Sequence, residues 1–372
     1  MQTKLSNLLA SRFNRSMTFL PTPRSVAAIL TLALTALALA SLSPCPARAQ
    51  SSLPHYNVHD LGTLGGKTTT AYAINMLQQI VGISATAGNQ EHAFLWSSGS
   101  MRDLGTLGGP LSQATSINNY GQVAGFSMNS SGQTRGFRWD SRNGMIDIST
   151  LGGPSTLATG ISDSGFIVGG SATAQNQFHA FLRNPNSGRM QDLGTLGGTW
   201  SMATAVYDGN FGLTVVGVSY TANDPMLHGF IWTPQMGTLH DTYYFQPHSI
   251  DYVGNMVGTY YNQGWWGVHT WGEVWWLGNL RQMSKQLNPY PGDPDCIAFA
   301  GDGSDYVGTS GVGGQGRPVL WIYGGNAIDL NACISANSGW VLTYPVGVAW
   351  SGTRVAGNGI HNGLNRAFLL SR

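Results

Sequence analysis

Seven letters, "DLGTLGG", occupy Asp60 to Gly66, recur at Asp103 to Gly109 and at Asp192 to Gly198, and return as "DISTLGG" at Asp147 to Gly153. Successive starts are 43, 44 and 45 residues apart. Self-similarity at a period of about 20 to 50 residues marks a repeat architecture, in which each unit buries its apolar face only against its neighbours. The chain therefore has to be read in units.

A Val or Ala followed by Gly in a short apolar stretch supplies the phase, at Gly82, Gly125, Gly169, Gly217, Gly258, Gly308 and Gly357. Turn-like segments precede these markers, such as "INNYGQ" from Ile117 and "ISDSGF" from Ile161. There Asn or Asp can bond its own backbone while Gly takes a left-handed conformation. A variable polar segment follows each marker, and then an aromatic strand: "HAFLW" (92–96), "RGFRW" (135–139), "HAFLR" (179–183), "HGFIW" (228–232), "GVHTW" (267–271), "RPVLW" (317–321) and "RAFLL" (366–370). A further turn leads to the "DLG" strand, so a unit holds four short strands, the content of a propeller blade. With 51 Gly and 9% charged residues, the composition is that of a turn-dense all-β protein.

The repeat begins on the last strand of a unit, "YNVHDLG" (56–62), and stops at "RAFLL", one strand short. An open stack would leave both fragments unpaired, whereas a ring lets the first strand complete the last unit. The expectation is an all-β fold: a seven-bladed β-propeller of four-stranded blades closed by the N-terminal strand joining the C-terminal blade. A right-handed β-helix is the alternative, and the alternation of four strands with tight turns counts against it. "DLGTLGG", the I-N turn, V-G and "HAFLW" together resemble the HAF repeats of probable extracellular proteins. The resemblance spans nearly all of residues 50–372, weakens in units five to seven where "TLGG" is lost, and implies no activity.

Residues 1–49 read differently. Arg12, Arg15 and Arg24 precede an apolar run from Ser25 to Leu42, and "ARA" (47–49) ends in small residues. That pattern predicts a secretory signal cut after Ala49, with residues 50–372 a single repeat domain, secreted or periplasmic and without a stable membrane anchor. A stop-transfer span is the alternative. Without the leader, 13 basic residues face 17 acidic ones, a net charge of −4, and no basic patch recommends nucleic acid. Cys296 and Cys333 remain, and an exported pair is a candidate disulfide, with two separate thiols the other reading.

The first residue of each aromatic strand and the Asp of the next "DLG" strand form a series: His92 with Asp103, Arg135 with Asp147, His179 with Asp192, His228 with Asp241, Arg317 with Asp329, and Arg366 with Asp60 through closure. In unit five the corresponding positions are Gly267 and Trp276, so donor and acceptor vanish together. This predicts cross-strand structural pairs rather than metal ligands, because ligands converge on one ion while these are distributed one per unit. "GVGGQG" (311–316) opens no helix and reads as a loop. "GDGSD" (301–305) and "DPD" (293–295) suggest calcium, but the former occupies the turn slot of the other units. No motif implies a cofactor.

The variable segments after the markers are expected on the same end of the fold as the "TLGG" crossings. They are rich in Asn, Gln, Ser and Gly, and unit five adds Tyr260, Tyr261, Trp265 and Trp266, with Trp200 in the crossing of unit four. Uncharged polar groups beside flat rings suit sugars, so the leading reading is an exported, non-catalytic module that binds a glycan or other polymer, or an extracytoplasmic protein. Gap-filling by those rings is the structural alternative. A second reading is a polysaccharide- or peptide-active enzyme drawing Asp224, His240, His248 or His361 from separate units over a central channel. A third is a structural envelope component.

Overall fold

The repeated apolar-glycine and aromatic stretches alternate sides at a period of two, and each becomes a strand with one flank against the neighbouring unit. The computed structural model describes residues 53–372, apart from 225, 265–266, 277–283 and 313–315. The leader lies outside the described residues, and among those described no helix is long and apolar enough to cross a membrane.

After β1 (Asn57–Asp60), strands follow in antiparallel sets of four. The first set is β2 (Gly65–Ile74), β3 (Ile80–Thr86), β4 (Glu91–Ser97) and β5 (Ser100–Asp103); the second is β6 (Gly108–Ile117), β7 (Val123–Asn129), β8 (Thr134–Asp140) and β9 (Gly144–Asp147). The third is β10 (Gly152–Ile161), β11 (Ile167–Thr173), β12 (Phe178–Arg183) and β13 (Met190–Gly194); the fourth is β14 (Gly197–Tyr207), β15 (Thr214–Thr221), β16 (Leu227–Trp232) and β17 (His240–Asp241). Then come β18 (Phe245–Ile250), β19 (Asn255–Gly264), β20 (Gly267–Trp276) and β21 (Ser284–Leu287), followed by β22 (Asp295–Gly301), β23 (Tyr306–Gly311), β24 (Arg317–Trp321) and β25 (Ala327–Asp329). Last are β26 (Trp340–Ala349), β27 (Arg354–His361) and β28 (Leu364–Ser371). β1 supplies their fourth strand, pairing antiparallel with β28 from Asn57 opposite Ser371 to Asp60 opposite Phe368. Single parallel bridges, Glu91 to Leu111 and Phe178 to Trp200, link the first set to the second and the third to the fourth.

The marker glycines explain themselves. A methyl on Gly82, Gly125 or Gly169 would collide with the carbonyl oxygen of Thr70, Gln113 or Leu157 on the preceding strand. That strand bulges at the same place, between Ala71 and Ala73, Ala114 and Ser116, and Ala158 and Gly160, which brings its backbone inward. The aromatic of each "HAF"-type strand packs alongside: Phe94, Phe137, Phe181, Phe230 and Phe368 are fully buried.

Two readings of the sequence change here. Cys296, in β22, and Cys333, in a 3-10 turn (Leu330–Cys333), are buried free thiols in different clusters, the first against Val257 and Trp321, the second against Tyr56 and Phe368. Each thiol donates to a nearby carbonyl, Leu287 at 3.2 Å and Asp329 at 3.3 Å, so the candidate disulfide does not form. In unit five, Gly258 faces Glu273, the place held by Phe94 opposite Gly82, and Glu273 pairs with Gln286. The aromatic-strand motif there is thus "WGEVW" (271–275), and Trp271 and Gln286, rather than Gly267 and Trp276, stand at the basic and acidic positions.

Candidate functional site

The polar groups of the opening motif are paired in the same way from copy to copy. One oxygen of the leading Asp accepts the backbone N–H two residues on, at 2.8 Å from Gly62, Gly105 and Gly194 and at 2.7 Å from Ser149. The other faces a basic side chain: His92 to Asp103 at 2.8 Å, Arg135 to Asp147 at 3.0 Å, His179 to Asp192 at 2.9 Å, His228 to Asp241 at 2.8 Å and Arg317 to Asp329 at 3.1 Å. Asp60 differs from expectation, because His361 lies 3.0 Å away and Arg366 only 4.0 Å. Leu61, Leu104, Ile148 and Leu193 are buried. The Thr hydroxyl accepts from the N–H of the first paired Gly, and the second Leu donates its N–H, at 2.9 Å, to Ser84, Ser127, Ser171 or Ser219 of the marker strand. That first paired Gly sits at φ +100, +101, +102 and +97 in the four copies, a left-handed backbone in which a side chain is strained.

Two of these ion pairs are extended. Arg317 also reaches Asp293 at 2.9 Å, which removes that carboxylate from the calcium reading. The second ring nitrogen of His228 lies 3.0 Å from Asp224. Burial works against a charge on His228, but the bonds to Asp241 and Asp224 outweigh it and hold its pKa above the ordinary histidine value.

The aromatic side chains singled out in the sequence are largely engaged in packing. Trp200 lies within β14 rather than in a loop, stacked on Phe178 at 6.4 Å and tilted against Tyr220 at 6.0 Å. Tyr260 stacks on Trp271 at 5.3 Å. Tyr261 has its hydroxyl pKa pushed up to about 12 by burial. Trp265 and Trp266 lie outside the described residues. The four residues of the enzymatic reading have separate surroundings: Asp224 bonds His228, His361 bonds Asp60, His248 bonds Thr259 at 2.9 Å, and His240 is exposed in β17.

One space is common to all units. The first strand of each set, β2, β6, β10, β14, β18, β22 and β26, lines a lumen of about 290 Å³. Equivalent positions on these strands carry Tyr72, Thr115, Thr159, Thr204, His248, Phe299 and Val346, so the wall is hydroxylic over units two to four and aromatic or aliphatic elsewhere. The three Thr hydroxyls reach the next lining strand, donating to Ala158 (2.9 Å), Ala203 (2.7 Å) and Pro247 (2.8 Å). Asn358 makes the matching link between β27 and β2 with both ends of its amide on the Ala71 backbone.

At the Asx-turn end the lumen meets a second cavity of about 370 Å³. Ile74, Ile117, Ile161, Val206, Ile250 and Val348 line both and form an aliphatic collar between them. The outer cavity is walled by the turns that the I-N segments make. Among the described residues its carboxylates are Asp163, Asp208, Asp251 and Asp302, and its lining holds no Lys, Arg or His. Burial raises the pKa of Asp251 in spite of the bonds it accepts from Asn255 and Val253. The turns are stitched to one another: Asn75 donates to the Asn118 carbonyl (2.9 Å), Asn118 to that of Ser162 (2.9 Å), and Ser162 to Asp208 (2.6 Å).

Around this mouth the turn tips carry large apolar side chains. Leu77 is 61% exposed, Tyr120 77%, Phe211 52%, Tyr252 57% and Trp350 54%. Trp350 takes φ 59, rare for a bulky residue, and its indole N–H donates to the Met76 carbonyl at 2.6 Å, so the ring is held at the surface. Reading the sequence for variable segments overlooked this end. The signal was present in "INML", "INNY", "IDYV" and "AWSG", where turns carry rings or aliphatics in place of small polar residues.

No family model matches the chain, and no curated protein does. Solved structures resemble it in fold. An oligogalacturonate lyase in complex with manganese aligns with a TM-score of 0.55 and 9% identity over 86% of this chain and 94% of that one. The β-propeller domain of the Trilobed protease from Pyrococcus furiosus gives 0.50 and 11% over the same shares. TolB from Acinetobacter baumannii gives 0.45 and 9% over 79% of this chain, which spans 64% of the TolB length. The chain is all-β and propeller-like; at such identities the likeness is one of architecture.

Proposed function

We propose that the four-strand sets are the blades of a seven-bladed β-propeller of the HAF-repeat kind, closed by β1 in the last blade, and that the protein is an exported, non-catalytic binding module. Its ligand face is the Asx-turn mouth, and carbohydrate polymer is the ligand class. The observation that carries this is the rim of exposed Tyr120, Phe211, Tyr252 and Trp350 around a mouth lined by amides and carboxylates. Contiguous exposed apolar groups with a polar centre mark interaction surfaces. Flat rings offer stacking faces to the C–H side of a sugar, while carboxylates and amides accept and donate to its hydroxyls. The acidic lining disfavours polyanionic polymers.

The test is a glycan array, envelope polysaccharides included, probed with residues 50–372 and with a Tyr120→Ala, Tyr252→Ala double variant. Binding that falls at least tenfold in the variant supports the mouth. Undiminished binding would move the ligand to the opposite end, and absence of binding by the parent protein would remove carbohydrate as the class. Export is tested by N-terminal sequencing of the protein recovered outside the cytoplasm, with Gln50 the expected first residue.

A further inference from the structure

The lumen behind the collar is chemically unlike the mouth. Among the described residues its lining contains no carboxylate, ammonium or guanidinium group, and the histidine there is neutral at physiological pH, since burial lowers the pKa of His248 to about 4. Tyr72 is 39% exposed, and Phe299 on the lumen wall stacks on Tyr344, itself 44% exposed, at 4.3 Å. Burial nevertheless pushes the Tyr344 hydroxyl pKa up to about 12. In units two to four of the same lining, Thr115, Thr159 and Thr204 have committed their hydroxyl hydrogens to backbone carbonyls, so what their oxygens offer a guest is acceptor lone pairs.

A guest that suits this space is uncharged, has an apolar face for Tyr72 and Phe299, and brings hydroxyl donors for the threonine oxygens. We propose that the lumen is a second subsite, which takes a single uncharged sugar ring, the terminal residue of a chain held at the mouth. This rests on the carbohydrate reading of the mouth. The volume of about 290 Å³ is at the scale of one small ligand, so a chain end enters where the middle of a polymer does not.

The experiment uses residues 50–372 and methyl β-glucoside, with the imidazole resonances of His248 as reporter. Saturable shifts at millimolar glucoside are expected, weakened at least tenfold in Tyr72→Ala and unchanged in Ile146→Ala, whose exposed side chain on β9 lies outside both the lumen and the mouth. Melting temperatures establish that both variants are folded, and Tyr72→Phe, which keeps the ring, should retain binding. The fully methylated glucoside has no hydroxyl donor and should not bind. Equal binding of the methylated sugar, or no saturable shift of His248, overturns the proposal. An oligosaccharide that depends on Tyr120 while the glucoside fails would leave the mouth standing and the lumen empty; the converse result would leave a lumen site without the mouth.

Discussion

The two ends of the channel are built on opposite plans. At the "TLGG" end the letters repeat and their polar groups have partners, from the Asp carboxylates to the Leu N–H bonds on Ser84, Ser127, Ser171 and Ser219. At the Asx-turn end the anchoring residues repeat while the tips diverge into Leu77, Tyr120, Phe211, Tyr252 and Trp350, which point outward. Repetition here records the demands of one backbone geometry met several times. Divergence at fixed, exposed positions records something outside the backbone.

The largest expected effect breaks the repeated side of this contrast. Phe181→Ala empties a fully buried site and should cost about 3 to 5 kcal/mol in denaturant unfolding, while an exposed tip variant such as Tyr120→Ala should stay within about 0.5 kcal/mol. A Tyr120 variant as destabilised as Phe181→Ala would mean that the tips are structural too.

The two histidines sharpen the contrast through pH. His228 has a raised pKa, so its contribution to stability is full below the unfolded value of about 6.5 and is lost as pH rises through its folded pKa. His248, lowered to about 4, acts in the opposite sense: its contribution is present above about 6.5 and is lost as pH falls through the folded value. His228→Gln should flatten the alkaline limb of a stability profile, and His248→Phe the acid limb. A variant that leaves its limb unchanged would remove that histidine from the account.

The smallest effect concerns the repeated ion pairs. Asp103 is 42% exposed at its side chain, so Asp103→Asn, which keeps the bond to Gly105, should cost only about 0.2 to 1 kcal/mol and less at high salt. A cost near that of Phe181→Ala would make the pairs a principal determinant of the fold.

What could be read from the letters followed the same division. The sets of four strands and the partners of Asp103, Asp147, Asp192, Asp241 and Asp329 were legible because alternation and spacing depend on local geometry. Unit five was misaligned because Glu273 occupies the position of a buried Phe and "HTW" imitates the end of an aromatic strand. Trp200 and Tyr260 were assigned to a ligand because a ring in a polar segment looks free until its neighbours from other strands are known. His361 displaced Arg366 at Asp60 for the same reason, across a separation of 301 residues. The separation of Cys296 from Cys333 likewise depends on which strands pack together, which spacing along the chain does not convey.

The pairing of β1 with β28 has a consequence in time. Val58 reaches a ribosome exit long before Leu370, its partner, exists. Throughout synthesis β1 lacks its partner strand, and Tyr56, which donates to the Gly352 carbonyl in the finished protein, has nothing to bond. A contact between such distant positions forms late and slowly, and an unpaired strand edge recruits other chains while it waits. A helper that shields Asn57–Asp60 until β28 has been made would raise the yield of folded protein without altering its final stability.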